Sequence, residues 1–145
     1  MQVPKIIKGG CFSDERGRLT FNNDFNALEI KRFYSIENRD AEFIRGWQGH
    51  KIEQRWFSAI LGSFKISLIK IDDWNNPNKS SDLLEFELYH TNLDVLHVPN
   101  GYISAIQSLE ENSKLLVFSD YSLGETKDEF RFPLDYFESF KIKKT

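Results

Sequence analysis

The chain has 145 residues, a formal charge of −3 and a single cysteine, which excludes a second full-size domain, a broad cationic face for a nucleic-acid backbone and an internal disulfide. Hydrophobic residues make up 40% and aromatics 14%, with 13 Phe, 5 Tyr and 3 Trp, too apolar for disorder and well suited to sheets with bulky inward side chains. No run approaches the roughly 18 apolar residues of a membrane span and Met1 to Gly10 lacks a signal-peptide core, so the expectation is one cytoplasmic domain over 1–145, without membrane or nucleic-acid partners.

Taken in chain order, most segments repeat with a period of two. Short strands are predicted at Arg18 to Phe21 and Ile30 to Ile36. An apolar run from Trp56 to Leu61 turns at Gly62 into a strand with Phe64, Ile66 and Leu68 on one face and Lys65, Ser67 and Ile69 on the other, so the two read as a hairpin or a sharply bent pair. Further strands are predicted at Leu83 to Tyr89, Asp94 to Val98, Tyr102 to Leu109 and Lys114 to Asp120. Between them lie Asn- and Gly-rich turns such as Asn75-Asn76-Pro77-Asn78 and Pro99-Asn100-Gly101. Asp72 to Asp82 is predicted as a surface loop, and Phe130 to Phe140 as a short helix or an irregular arm packed on the rest. The Lys141, Lys143, Lys144 cluster that follows is a solubilising end. Many short strands divided by polar turns predict an all-β sandwich or closed barrel. Trp56, Phe57, Phe64 and Phe118 are predicted as core, and His90 and His97, which lack partners at metal spacing, as structural.

The stretch Gln48-Gly49-His50-Lys51-Ile52-Glu53-Gln54-Arg55, closed by Gly62, resembles the first cupin signature, with Gln48 and His50 at the paired-histidine positions and Arg55 at the glutamate's. Pro99, Gly101 and Ser104 resemble the second, with Ser104 at its histidine. Asp14-Glu15-Arg16-Gly17, Lys31-Arg32-Phe33-Tyr34, Arg45-Gly46, Val98-Pro99-Asn100-Gly101 and Ser119-Asp120-Tyr121 are similar, in order and spacing, to fragments of the dTDP-4-keto-6-deoxyglucose 3,4-ketoisomerases. Two of them, Asp14 to Gly17 and Arg45-Gly46, are also similar to fragments of the dTDP-4-dehydrorhamnose 3,5-epimerases. The resemblance, to the WxcM-like group of these enzymes, runs from about Gly10 to Phe132.

That resemblance implies an RmlC-like cupin jelly-roll barrel acting as an isomerase or epimerase on a nucleotide-linked, dTDP-type 4-keto-6-deoxysugar. The reaction would proceed by proton abstraction beside the ketone, with no metal and no other cofactor. Of four usual metal ligands only His50 remains, and a guanidinium at Arg55 repels a divalent cation. On an extended strand Gln48 and His50 share a face. An imidazole, with its ordinary pKa of about 6.5, is the natural base, while Arg55 and Gln48 polarise or orient the sugar oxygens. The resemblance further implies Arg16, Arg32 and Arg45 as diphosphate clamps, since guanidinium forks match phosphate oxygens, and Tyr34 and Tyr121 as aromatics that stack on the base or hold a sugar hydroxyl. It implies a homodimer in which Arg16 serves the adjacent subunit's pocket. Two alternatives stand beside it. One is a non-catalytic cupin module that binds a sugar nucleotide or carbohydrate, consistent with Gln48 and Ser104 at histidine positions. The other is that Gln48 and Arg55 simply pair with each other or with Glu53.

Overall fold

The computed structural model describes residues 2–140. Its strands, in chain order, are β1 (Lys5–Ile7), β2 (Gly10–Asp14), β3 (Gly17–Phe21), β4 (Arg32–Ile36), β5 (Ile44–His50), β6 (Arg55–Leu61), β7 (Ser63–Lys70), β8 (Leu84–Tyr89), β9 (Val95–Val98), β10 (Tyr102–Ser108), β11 (Lys114–Ser119) and β12 (Glu129–Arg131). The described residues hold no helix, and so none long and apolar enough to cross a membrane. One five-stranded sheet has the order β1-β9-β6-β11-β4 and the other β12-β5-β10-β7-β8, every pairing antiparallel, while β2 and β3 form a separate hairpin. The two large sheets face each other, which is the jelly-roll expectation.

The period-two pattern explains the packing. Phe64, Ile66 and Leu68 of β7 point between the sheets and meet Phe57, Ala59, Leu96, Leu115 and Val117 of the opposite sheet. Each such fully buried side chain contributes on the order of 1.5–3 kcal/mol. The β6–β7 junction resolves as the bent pair rather than a hairpin, because β6 belongs to one sheet and β7 to the other. Gly62 makes the corner at φ 68°, and a Cβ there would lie 2.8 Å from Ser113 Cβ. The bend is sealed by the Ser63 amide donating to Ser113 Oγ at 3.1 Å.

Phe57 and Phe64 lie in the core. Trp56 is buried on the outer side, stacked on His97 at 4.8 Å, and Phe118 is half-buried between Phe25 and Phe33. The His97 ring lies 2.6 Å from Gln54 Oε1, and that of His90 3.1 Å from the Gly62 carbonyl.

The outer face of the second sheet is covered by the C-terminal segment, which is an irregular arm with no helix through Phe140. Trp47, Ile69, Ile103 and Ala105 pack under Phe132, Leu134, Phe137 and Phe140. Pro133 lacks an amide to continue a helix, and the arm is tied instead to the 72–82 loop by Glu138 N to Lys79 O and Tyr136 Oη to Pro77 O. The Lys141–Lys144 cluster lies outside the described residues.

Candidate active site

Strand β5 carries the site, and a bulge decides which of its side chains enter. Gln48 pairs with Ser104 and Arg45 with Ile106, so Gly46 and Trp47 together oppose Ala105. The extra residue reverses the alternation. Gln48, His50 and Arg45 all line one pocket, while Trp47 turns outward into the arm cluster. Strict alternation would have put Arg45 out with Trp47. Gly49 lets β10 approach, since a Cβ on it would collide with the Tyr102 carbonyl and lie 2.6 Å from Ile103 Cα.

The pocket encloses about 520 Å³ between the sheets and is walled by β4, β5, β6, β10 and β12. Of the residues expected from sequence, it brings together Gln48, His50, Arg55, Arg32, Tyr34 and Arg45. It does not bring in Arg16 or Tyr121. Arg16 is on the β2–β3 hairpin, in a shallow groove with Phe12 and Leu19, held by Asp14 at 2.7 Å. Tyr121 lies beyond β11 with Lys31 over its ring. A smaller chamber of about 20 Å³, room for one water, adjoins His50, Glu53, Tyr102 and Ser104.

His50 is buried against two carboxylates. Its Nδ1 stands 3.5 Å from Asp128 Oδ1 and 3.7 Å from Glu53 Oε2, and it makes no formed hydrogen bond. Asp128 is anchored in turn: its Oδ2 accepts the Ile52 and Glu53 amides at 2.7 and 2.9 Å, and its Oδ1 accepts the Thr126 hydroxyl at 2.9 Å. Burial pushes the Asp128 carboxyl up, but these donors together with Glu53 outweigh it and hold the group well below the usual range. Burial pushes the His50 imidazole below its ordinary value, the Arg55 cation adds to that, and the two carboxylates partly oppose it. The ring is therefore neutral at neutral pH, able to accept a proton, and its second nitrogen remains for a ligand.

Arg55 pairs with Glu53, as one of the two alternatives drawn from the sequence allows. Its Nη1 donates to Glu53 Oε1 at 3.1 Å and to Ser119 Oγ at 2.8 Å, and its Nε donates to Tyr34 Oη at 3.2 Å. The Tyr34 phenol thus lies against one guanidinium while a second, Arg32, covers its ring at 4.8 Å. Arg32 and Arg45 make no ion pair among the described residues, and Arg32 Nε is buried without a partner. Two free guanidiniums in one cavity are suited to a phosphate-bearing ligand.

Sequence reasoning missed Asp128, Glu129 and Arg131. Asp128 meets Ile52 and Glu53 across 76 and 75 residues of chain, and β12 is three residues long. Neither leaves a short-range pattern. His50, Glu53 and Asp128 do have the composition of a cation site, their ligand atoms lying within 4.8 Å of one another. The fit is poor: the Arg55 cation occupies one oxygen of Glu53, the Thr126 hydroxyl sits on the other, and Asp128 Oδ2 already accepts two amides.

Residues 2–140 match the family described as WxcM-like, C-terminal. The chain belongs to that family. Among solved structures it is similar to a histidine-to-asparagine variant of the 3,4-ketoisomerase QdtA from Thermoanaerobacterium thermosaccharolyticum in complex with TDP-4-keto-6-deoxyglucose. That likeness has 25% identity and a TM-score of 0.70, covering 97% of this chain and 95% of that one. A double mutant of the same enzyme in complex with TDP gives 26% identity, the same TM-score and the same coverage. The dTDP-4-dehydrorhamnose 3,5-epimerase of Elizabethkingia anophelis shares the fold at 16% identity and a TM-score of 0.73, over 98% of this chain and 82% of that one. A search of curated proteins returns no match. The fold of this family member is the RmlC-like cupin jelly roll, all-β, as expected.

Proposed function

We propose that this chain isomerises a nucleotide-linked 4-keto-6-deoxysugar, a dTDP-linked hexose being the best-supported substrate, by moving a proton next to the ketone. The reading is carried by one observation: a buried, neutral His50, backed by an anchored carboxylate pair, opens into a cavity walled by guanidiniums. In the proposed reaction the free ring nitrogen of His50 takes the proton from the carbon beside the ketone. The C–H bonding pair becomes a carbon–carbon double bond as the carbonyl π pair moves to the ketone oxygen, giving an enolate stabilised by Arg55 and Gln48. As the neighbouring hydroxyl gives up its proton and the former ketone oxygen gains one, the protonated His50, whose proton exchanges with solvent during the life of the intermediate, delivers a proton to the former ketone carbon, which completes the exchange of carbonyl position. Tyr34, pressed between Arg32 and Arg55, is placed to carry the hydroxyl proton.

No step uses a metal, a reading supported by the guanidinium on Glu53. Arg32 and Arg45 grip the diphosphate. A homodimer in which Arg16 reaches the adjacent subunit's pocket is supported by the separate β2–β3 hairpin, where Phe12 and Leu19 are 55% and 61% exposed. Tyr121 would hold the nucleoside from the pocket's margin. A cytoplasmic location and one domain over 1–145 fit the single unpaired Cys11 and the shared core.

The test is incubation with dTDP-4-keto-6-deoxyglucose in heavy water, followed by mass spectrometry and NMR. Gain of deuterium with a shift of the ketone signal is expected. Tight binding with no deuterium gain would make the chain the non-catalytic module that Gln48 and Ser104 suggest.

A further inference from the structure

The pocket has a wall that the sequence did not announce. Edge strand β12 pairs with β5 so that Glu129 lies opposite His50 and Arg131 opposite Gln48. Paired residues in a sheet project to the same face, so the two charged residues continue the rows of His50 and Gln48 to the rim of the same cavity, which both of them line.

The strand is held in place at both ends. Asp128 at its start takes the Ile52 and Glu53 amides, and Phe132 at its end donates to the Trp47 carbonyl at 3.0 Å. Between them Phe130 turns outward onto Trp74, with ring centroids 4.7 Å apart. A strand fixed at both ends presents its two charges in a set direction.

Arg131 donates through Nε to Glu129 Oε1 at 2.7 Å, and its two terminal nitrogens have no protein partner among the described residues. Arg16 is the opposite case, engaged by Asp14 through both Nε and Nη2. A guanidinium steadied at Nε with its outer fork free is arranged to take two phosphate oxygens. Of the four guanidiniums that line the cavity, Arg55 is held by Glu53, while Arg32 and Arg45 make no ion pair among the described residues.

Resting on the functional reading above, we propose that Arg131 is a third diphosphate-binding residue of this chain's own pocket, oriented by Glu129, and that the ligand it selects is a nucleoside diphosphate rather than the nucleoside alone. Arg131 acts on binding and stays clear of the reacting carbons.

The experiment is calorimetric titration of TDP and of thymidine into the wild type, Arg131→Ala and Arg131→Lys, with steady-state kinetics on the sugar nucleotide. Arg131 is largely exposed, so both variants are expected to fold. Arg131→Ala should weaken TDP by about tenfold or more while thymidine stays within about twofold, and Arg131→Lys, which keeps the charge but not the fork, should fall between. KM should rise by a similar factor with kcat changed by less than about threefold. TDP affinity within about twofold of wild type, or equal weakening of TDP and thymidine, overturns the inference. A wild type that binds no TDP overturns the functional reading itself, and this inference with it.

Discussion

His50 takes its character from its neighbours. Desolvation and the Arg55 cation lower its pKa, and the Asp128 and Glu53 carboxylates raise it. The acid limb of kcat/KM should therefore have its midpoint below the free-histidine value of about 6.5. Arg55→Gln removes a charge that lowers the imidazole, so the limb moves to higher pH. Asp128→Asn removes a charge that raises it, so the limb moves to lower pH, and kcat drops by about ten- to a hundredfold as the ring loses the anion behind it. A pH–rate series on the three proteins checks both signs; shifts in the same direction for both variants would contradict the assignment of the limb to His50.

At the scale of elements, the bulge in β5 and the three-residue β12 build the pocket. The positions of Gln48 and His50 on a common face were legible, because two residues of an extended strand need only the period of two. Arg45 in the same pocket was expected from the resemblance alone; the period of two would have turned it away, because the bulge obeys pairing with β10 rather than any feature of Ile44 to His50. The run of β7 showed in its alternating apolar residues, whereas Glu129-Phe130-Arg131 is too short to have a period. Asp128 was invisible for a different reason: its role is set by amides more than seventy residues away. The tight β5–β10 approach gives its own prediction. Gly49→Ala should lower stability by roughly 2–4 kcal/mol, since the methyl would meet backbone rather than a movable side chain. Denaturant unfolding measures it, and a loss under about 0.5 kcal/mol would mean that the strands part easily there.

At the scale of the whole molecule, two sheets enclose one core and an aromatic arm seals the outer face of the second, leaving the charged cavity as the polar interior. Burying titratable groups makes stability depend on pH. His50 and His97 both have folded pKa values pushed down chiefly by burial. Between those values and about 6.5 the unfolded chain binds more protons, so stability falls as pH drops through that window and levels out once the folded rings are protonated too. Asp128, held below its ordinary range, adds stability that is present above about 3.8 and is lost as pH falls further toward its folded value. Thermal melts from pH 8 to 3 should show both declines, and His97→Gln should flatten the first.

The proposed proton abstraction by His50 joins these scales, and the most direct measurement of it is deuterium wash-in from heavy water into a dTDP-4-keto-6-deoxyhexose, comparing the wild type with His50→Asn while substrate affinity is followed in parallel. Exchange lowered by about a hundredfold or more with affinity within about fivefold is the expected result. Exchange that continues at the wild-type rate in His50→Asn would contradict the assignment of this imidazole as the base.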